Sequence, residues 1–293
     1  MPVHIPVDRP EIQPMPPSSP GSWPPARRRW GQNFLASPAV ARRLVDLFLG
    51  DVAGERRALP VVEIGPGRGA LTRELASRVR RLVALEIDPL LHEELLRELG
   101  ASPALEVRLG DALETDFEAL AEELGGAFRV IGNLPYNVGT AVVRRLLRVS
   151  AVADFQVVLQ QEVVDRFLAR PGTKAYGPLA VISQLRGRPR RLLALPPSLF
   201  RPRPKVHSAV LSLVVDPRAP LAAGDVENLE RWLFRGFGHR RKTLAGNLGP
   251  WKEAVREFLV GRGLPADARA EAVPAEDWLA LGRRLDAIAG ASR

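Results

Sequence analysis

Residues 61–72 read Val-Val-Glu-Ile-Gly-Pro-Gly-Arg-Gly-Ala-Leu-Thr, a short apolar run followed by glycines at alternate positions. The apolar run predicts a buried strand, and the spacing of apolar residues after it predicts a helix. Glycines at positions 65, 67 and 69 permit a sharp reversal of the backbone and let a ligand approach the main chain closely. The stretch therefore predicts a strand, a tight turn that can bind a ligand, and a helix.

Short apolar runs and helical patterns alternate on both sides of this unit. Before it, Ser37 can cap a helix and Pro38 suits its first turn, so a helix is predicted to run to about Leu49. Apolar runs that predict strands cover residues 61–64, 82–87, 105–109, 128–131, 155–159, 191–195 and 209–215. This rhythm predicts an α/β fold around a mostly parallel, seven-stranded sheet.

Composition divides the chain into three parts. Residues 1–25 contain too many prolines and too few apolar residues to offset the entropy of ordering, so a disordered tail is predicted. Residues 26–217 carry the alternating strands and helices and form the predicted main domain. The segment Asp216-Pro217-Arg218-Ala219-Pro220 breaks that alternation, and residues 218–293 are predicted to form a small, all-helical domain.

The composition also excludes several classes of chemistry. The 293 residues include no cysteine, which excludes disulfide frameworks, thiolate metal sites and cysteine nucleophiles. The sequence has no run of about 18 apolar residues that would span a membrane, and we expect a cytoplasmic protein. The 42 lysines and arginines outnumber the 33 acids, and the net charge of +9 indicates a polyanionic partner. The histidines lack metal-ligand spacing, so no metal is predicted.

The glycine turn predicts a nucleoside cofactor without identifying it. Gly65 and Gly67 also satisfy the dinucleotide-binding fingerprint, and Glu86 ends the next predicted strand, where an acid can bind ribose hydroxyls. Asp111 follows the third predicted strand at the same edge of the sheet, where it can accept a hydrogen bond from an adenine amine. A plain tight turn at the glycines and a helix cap at Asp111 remain open as alternatives.

A second motif, Asn133-Leu134-Pro135-Tyr136, follows the fourth predicted strand. The nitrogen of an aromatic amine is a poor nucleophile because its lone pair is delocalised into the ring. Two acceptors, the Asn133 side-chain oxygen and the Leu134 carbonyl, can hold its N–H groups and favour a tetrahedral nitrogen. Tyr136 offers an aromatic face on which the base can stack. The motif therefore predicts methyl transfer to a planar aromatic amine.

In this order, the motifs of the chain resemble those of the rRNA adenine N6-dimethyltransferase family, most closely its small-subunit branch. The resemblance runs from Gly31 to Arg269. It is carried by GQNFL from Gly31, EIGPGRGALT from Glu63, LEID from Leu85, GDAL from Gly110, NLPYN from Asn133, PGTKAYGPLAV from Pro171, LPPSLFRPRPKVHSAV from Leu195 and RRKTL from Arg240. The chain departs from the family pattern at Gly139-Thr140-Ala141 and at Ala180, which bears on the start of a helix and on no proposed catalytic atom.

The resemblance implies a Rossmann-like, class I methyltransferase domain that uses S-adenosyl-L-methionine. It further implies that two adjacent adenosines near the 3′ end of 16S rRNA, in a 30S subunit or its late precursor, each receive two methyl groups. The positions that match adenine-binding residues of the family are Asn133, Leu134, Tyr136 and Phe200. Those that match cofactor-binding residues are Gln32, Asn33, Leu35, Gly65, Gly67, Glu86, Ile87, Asp111, Ala112 and Asn133.

Clusters of basic residues are candidates for contact with RNA phosphates, which arginine can bind through paired N–H groups. The first cluster surrounds Phe200 and the second begins the helical domain, and both are predicted to bind RNA: Arg201, Arg203 and Lys205, then Arg240, Arg241 and Lys242. A weaker cluster precedes a predicted strand and comprises Arg186, Arg188, Arg190 and Arg191.

Three other functions remain open from the sequence. The first is a large-subunit rRNA adenine N6-methyltransferase, against which the PGTKAYGPLAV segment argues. The second is a ribosome-assembly factor that acts mainly by binding, although intact Asn133 and Tyr136 argue against loss of activity. The third is a nicotinamide dehydrogenase, for which no residue suited to hydride chemistry is identified. The chain is expected to act as a monomer away from membranes.

Overall fold

The computed structural model describes residues 23–27, 30–52, 54–100 and 102–291. Residues 1–22, most of the tail predicted to be disordered, therefore lie outside the described residues. The end of that tail contacts the folded chain, because the Pro24 carbonyl accepts a hydrogen bond from Arg68 at 3.0 Å. The Trp23 ring centroid lies 5.7 Å from the guanidinium carbon of Arg73. Trp23 and Pro24 thus lie beside the glycine turn.

The strands form one large sheet and one small one. In chain order they are β1 (Phe34–Leu35), β2 (Val61–Ile64), β3 (Leu82–Glu86), β4 (Leu105–Leu109), β5 (Phe128–Asn133), β6 (Val152–Gln160), β7 (Gly187–Leu195), β8 (Phe200–Arg201) and β9 (Ser208–Val215). The large sheet has seven strands in the order β4-β3-β2-β5-β6-β9-β7. Its pairs among β2 to β6 are parallel, whereas β9 is antiparallel to β6 and β7. The predicted mostly parallel, seven-stranded sheet is confirmed.

Helices follow most strands. In chain order they are α1 (Pro38–Gly50), α2 (Ala70–Ala76), α3 (Pro89–Leu99), α4 (Phe117–Leu124), α5 (Gly139–Leu146), α6 (Gln161–Phe167), α7 (Pro178–Arg186), α8 (Val226–Gly236), α9 (Leu244–Asn247), α10 (Lys252–Gly261) and α11 (Ala275–Ala291). Helix α5 begins at Gly139, where a Cβ atom would lie 2.4 Å from the Leu159 side chain. Glycine at this position therefore lets the helix approach the sheet closely.

Helix α1 forms as its sequence predicts and packs against the sheet. The Ser37 hydroxyl accepts a hydrogen bond from the Val40 N–H at 3.4 Å, and Pro38 occupies the first turn. The apolar face of α1 is buried, with Leu44 and Phe48 each 1% exposed. Capping, the fixed φ of proline and burial of one face all favour the same helix.

A buried ion pair joins α1 to the centre of the sheet. Arg129 of β5 is 0% exposed, and its Nε lies 2.8 Å from Oδ1 of Asp154 in β6. The same guanidinium donates to the Phe48 carbonyl and lies 4.0 Å from the centroid of the Phe48 ring. Loss of either charge would leave the other buried and unpaired, which is strongly destabilising. These contacts fix α1, and with it the residues that precede α1, against β5 and β6.

The small sheet connects two segments that are distant in sequence. Strand β1 pairs antiparallel with β8, so that Phe34 lies opposite Arg201 and Leu35 lies opposite Phe200. Each strand has only 2 residues, too few to give an alternating pattern in the sequence. The pair joins the segment before α1 to the segment between β7 and β9.

The helices after β9 pack on the main sheet through α5 and α7. The buried carboxylate of Glu230 in α8 accepts a hydrogen bond from Arg144 of α5 at 2.9 Å. Trp232 and Trp278 are buried in an apolar core that is continuous with the core beside the sheet. The domain boundary near residues 217–218 therefore stays a prediction. No helix within the described ranges is long and apolar enough to cross a membrane.

Candidate active site

The carboxyl ends of β2, β3, β4 and β5 surround one cavity of about 200 Å³. Ligands of open α/β sheets bind at this edge, where the turns after the parallel strands converge. All ten predicted cofactor-binding residues line the cavity: Gln32, Asn33, Leu35, Gly65, Gly67, Glu86, Ile87, Asp111, Ala112 and Asn133. Leu134 and Tyr136 line it as well. Whether these residues bind a cofactor stays a prediction.

The glycine turn needs its glycines. Gly65, Gly67 and Gly69 have φ values of 68°, 57° and 72°, in the left-handed region that other residues rarely adopt. At Gly67 a Cβ atom would also lie 2.9 Å from the Phe34 ring. The turn therefore brings its backbone close to the segment before α1, and both border the cavity.

Three carboxyl groups form one side of the cavity, which we call the acid wall: Glu63, Glu86 and Asp111. Glu86 is 3% exposed, and its oxygens accept hydrogen bonds from the N–H groups of Gly67 and Asp88, each at 2.9 Å. Burial raises the pKa of Glu86, against the lowering effect of these two bonds. Glu86 thus holds the glycine turn to the end of β3.

Asp111 borders the cavity, and the alternative that it caps a helix is wrong, because the N-cap of α4 is Asp116. The Oδ1 of Asp111 accepts a hydrogen bond from the Leu113 N–H at 2.8 Å, as in a local turn. The side chain also borders the cavity together with Gly110 and Ala112. Asp111 therefore stabilises the turn after β4 and also borders the cavity, where a ligand can contact it.

Glu63 was not among the residues predicted from the sequence. It is 1% exposed in β2, it borders the cavity, and its Oε2 has no hydrogen-bond partner among the described residues. Burial is the main reason that the pKa of Glu63 is raised to about 8, while the Thr72 hydroxyl lowers the pKa and the neighbouring Glu86 raises it by smaller amounts. A carboxyl within the otherwise apolar run Val-Val-Glu-Ile was the available signal in the sequence.

Asn133, Leu134 and Tyr136 form another part of the lining, which we call the amide wall. The Asn133 Nδ2 donates a hydrogen bond to the Asn33 carbonyl at 2.8 Å. This bond occupies the amide nitrogen and leaves the side-chain oxygen as an acceptor at the cavity. The Leu134 N–H donates to the Val158 carbonyl at 3.3 Å, which ties the backbone to β6 just beyond β5. The two acceptors of the predicted amine site are therefore adjacent and held by backbone contacts.

Tyr136 is held by strand β9, which lies between β6 and β7 in the sheet. Its hydroxyl lies 2.5 Å from the hydroxyl of Ser208, the first residue of β9, and Ser208 is 0% exposed. Burial raises the pKa of Tyr136, and the bond to Ser208 opposes this. The phenol thus stays neutral and anchored while the ring borders the cavity.

Phe200 differs from the other residues predicted to hold the adenine. Its side chain is 0% exposed and packs in the apolar cluster that includes Leu44 of α1 and Ile131 of β5. It is absent from the described lining of the cavity. The stacking role of Phe200 stays a prediction, and it requires β8 to shift before a base can reach the ring.

The six basic residues predicted to bind RNA are exposed. Arg201 donates to the carbonyls of Ser198 and Phe200, and Arg240 donates to the carbonyl of Lys174. Within the described ranges, none of the six forms an ion pair with a carboxylate. Their charges are therefore available to a phosphate. The six are Arg201, Arg203, Lys205, Arg240, Arg241 and Lys242.

The weaker arginine cluster beside β7 is largely engaged within the fold. Arg186 is buried and donates to the carbonyls of Leu147 and Leu221, each at 3.1 Å. Arg190 forms an ion pair with Asp51, and Arg191 forms one with Asp165. Only Arg188 of this cluster is exposed without such a partner among the described residues. No group of three or more histidine, aspartate or glutamate side chains in the described ranges could hold a metal ion.

The chain is similar to proteins of one family over nearly its whole length. The family model of ribosomal RNA adenine dimethylases matches residues 25–287. The ribosomal RNA small subunit methyltransferase A of Koribacter versatilis (strain Ellin345) is 38% identical over 278 residues, which cover 90% of this chain and 96% of that relative. The protein of the same name from Aromatoleum aromaticum (strain DSM 19018 / LMG 30748 / EbN1) is 41% identical over 257 residues, covering 87% and 92%.

Solved structures agree with this similarity. The 23S rRNA methyltransferase ErmE has a TM-score of 0.65 and 28% identity, covering 87% of this chain and 100% of that one. A dimethyladenosine transferase from Plasmodium falciparum shares the fold with a TM-score of 0.70 at 21% identity, covering 84% and 94%. With a family match across the cavity, the sheet and the C-terminal helices alike, this chain belongs to the ribosomal RNA adenine dimethylase family.

Proposed function

We propose that this chain transfers methyl groups from S-adenosyl-L-methionine to N6 of two adjacent adenosines near the 3′ end of 16S rRNA, giving N6,N6-dimethyladenosines in the assembling 30S subunit. The observation that carries this proposal is the adjacent pair of acceptors, Asn133 and Leu134, beside an acid wall in one cavity. Family membership supports adenine as the amine. The names of the two relatives support the small subunit as the source of the RNA.

The residues of the cavity fit S-adenosyl-L-methionine, which supplies a methyl group on a sulfonium sulfur when it is bound. The Glu63 oxygen without a partner is a buried acceptor that suits a donor of the ligand. The space beside Gly67, which a Cβ atom would fill, lets a ligand approach the backbone. In this proposal Glu86 binds ribose hydroxyls and Asp111 accepts from the adenine amine of the cofactor.

The amide wall would prepare the target amine. The Asn133 side-chain oxygen and the Leu134 carbonyl accept its two N–H groups, which draws the nitrogen towards a tetrahedral geometry and frees its lone pair. Tyr136 supports the base by stacking, with its ring fixed through Ser208. Alignment and fixed dipoles supply most of the rate in this scheme, and the proton that the nitrogen loses passes to water.

The exposed basic residues would bind the RNA backbone. Arg201 ends β8, and Arg203 and Lys205 lie between β8 and Ser208, which contacts Tyr136. In this proposal they bind phosphates that flank a flipped adenosine. Arg240, Arg241 and Lys242 add charge from the C-terminal helices. In this proposal the chain acts as a monomer in the cytoplasm.

The experiment that tests this function uses labelled S-adenosyl-L-methionine and small-subunit particles from a strain that lacks the modification. Large-subunit particles from the same strain serve as the control. The label is mapped by nuclease digestion and mass spectrometry. We expect dimethyladenosine at two adjacent positions near the 3′ end of 16S rRNA. Label confined to large-subunit RNA would contradict the assignment of the substrate, and tight particle binding without label would contradict the reaction.

A further inference from the structure

Arg68, in the glycine turn, is the one cationic side chain among the described residues that line the cavity. The acidic side chains of the lining are the carboxyls of the acid wall, Glu63, Glu86 and Asp111, and burial raises the pKa of Glu63 to about 8. A carboxyl attracts ammonium groups, hydroxyls and amines, but it repels a negative group. An anionic part of a ligand can therefore find a charged partner in this lining only at Arg68.

The contacts of Arg68 fix its position without neutralising its charge. Its guanidinium carbon lies 4.7 Å from the centroid of the Phe34 ring, and its Nη2 donates to the Pro24 carbonyl at 3.0 Å. Its Nε is buried without a hydrogen-bond partner among the described residues. No carboxylate in the described ranges forms an ion pair with Arg68. Burial lowers the pKa of Arg68, as expected for a charge removed from water without a counter-ion.

We propose that Arg68 binds the α-carboxylate in the methionine part of S-adenosyl-L-methionine, an inference that rests on the proposed function. That part of the cofactor carries one carboxylate and one ammonium group. Arg68 is the one cation among the described residues of the lining, which makes its guanidinium the charged partner for the carboxylate. Arginine presents paired N–H donors that match a carboxylate. The Phe34 ring and the Pro24 carbonyl hold the guanidinium before the ligand arrives.

Calorimetric titration with two ligands tests this assignment on the full chain. S-adenosyl-L-homocysteine keeps the amino-acid carboxylate, whereas 5′-methylthioadenosine keeps the nucleoside and lacks the amino-acid part. The variant Arg68→Leu removes the charge and keeps an apolar contact with Phe34. Arg42→Leu is the matched control, because exposed Arg42 of α1 pairs with Glu74 and does not line the cavity.

We expect Arg68→Leu to weaken S-adenosyl-L-homocysteine binding by about 10-fold to 100-fold, the range for loss of a charge-assisted bond, with 5′-methylthioadenosine binding within about twofold of the unmodified chain. Arg42→Leu should bind both ligands as the unmodified chain does. Equal losses for both ligands, or an equal loss in Arg42→Leu, would overturn the assignment. If Arg68→Leu lowered the affinity for RNA but kept the affinity for S-adenosyl-L-homocysteine, the assignment would also be overturned. If the unmodified chain bound neither ligand, the proposed function itself would fail.

Discussion

The acid wall and the amide wall border the same cavity, but they use their polar groups in opposite ways. In the acid wall, both oxygens of Glu86 accept backbone N–H groups, so this carboxyl holds the glycine turn in place. In the amide wall, the contact with Asn33 takes up only the donor of Asn133 and leaves its acceptor at the cavity. The comparison shows that the hydrogen-bond partners of a polar side chain decide its role. A side chain whose polar atoms bind the backbone holds the fold in place, and one with an unused polar atom can bind a ligand. Substitutions in the amide wall should therefore lower methyl transfer most, and substitutions in the acid wall should lower cofactor affinity and stability most.

The largest effect is expected at Asn133. Asn133→Ala removes an acceptor that acts on the reacting nitrogen, so kcat for methyl transfer should fall by about 100-fold to 1,000-fold. S-adenosyl-L-homocysteine affinity should fall by a smaller factor than kcat, because Asn133 is one of ten predicted cofactor positions and the acid wall is untouched. Single-turnover assays and calorimetry measure the two quantities. A parallel loss of cofactor affinity would show that Asn133 belongs to the scaffold.

Glu86 should show the reverse pattern. In Glu86→Gln, an amide N–H₂ faces the N–H of Gly67 or Asp88, which costs about 1–3 kcal/mol for the lost bond. We expect S-adenosyl-L-homocysteine affinity to fall by about 10-fold or more and Tm to drop by several degrees. Glu74→Gln, which alters an ion pair with exposed Arg42, is the control for charge loss alone. An unchanged Tm in Glu86→Gln would contradict the role of Glu86 in holding the glycine turn.

Tyr136 allows the ring and the hydroxyl of the amide wall to be separated. Tyr136→Ala should raise KM for the RNA particle by about 10-fold, the magnitude of one lost stacking contact. Tyr136→Phe keeps the ring and loses only the bond to Ser208, so its KM should stay within about threefold. Steady-state kinetics at saturating cofactor separates these cases. Equal losses in both variants would assign the role to the hydroxyl instead.

The effect at Glu63 is expected in stability and not in catalysis, and it depends on pH. Its pKa rises from an ordinary value of 4.5 to about 8 in the folded chain. Between these values the unfolded chain has released the proton that the folded chain retains, so the free energy of unfolding falls as pH rises from about 4.5 to about 8. Glu63→Gln removes this contribution, and its Tm advantage over the unmodified chain should grow from pH 5 to pH 8. Parallel melting curves across this range would contradict the raised pKa.

The sequence predicted the parts of the fold that depend on local pattern. The helix from Pro38 and the large sheet follow from capping, proline and apolar runs, which act over a few residues. The rule that the carboxyl ends of parallel strands converge predicted a shared position for Gly65, Glu86 and Asp111, whereas Asn33 and Leu35 were predicted from the family resemblance. Asp111 and Asn133 therefore lie beside the same cavity, although 22 residues separate them in the chain.

The rest depended on tertiary contacts that no local pattern records. The burial of Phe200 results from its pairing with Leu35 and its packing against α1. The internal bonds of Arg186 depend on the carbonyls of Leu147 and Leu221, which lie in other elements. In each case the sequence shows an aromatic or a basic residue, but the residues that it contacts lie in distant parts of the chain.

The small sheet has a consequence for how the binding of one ligand changes the affinity for another. Strand β1 contributes Phe34 and Leu35 to the cavity, and its partner β8 ends at Arg201, where the exposed basic segment begins. A ligand that tightens β1 and an RNA that tightens β8 thus act on one backbone ladder. Thermodynamic linkage makes their effects reciprocal: the factor by which RNA changes the affinity for cofactor equals the factor by which cofactor changes the affinity for RNA. If the proposed function holds, the effect of the particle on cofactor affinity and the effect of cofactor on particle affinity should give the same coupling free energy.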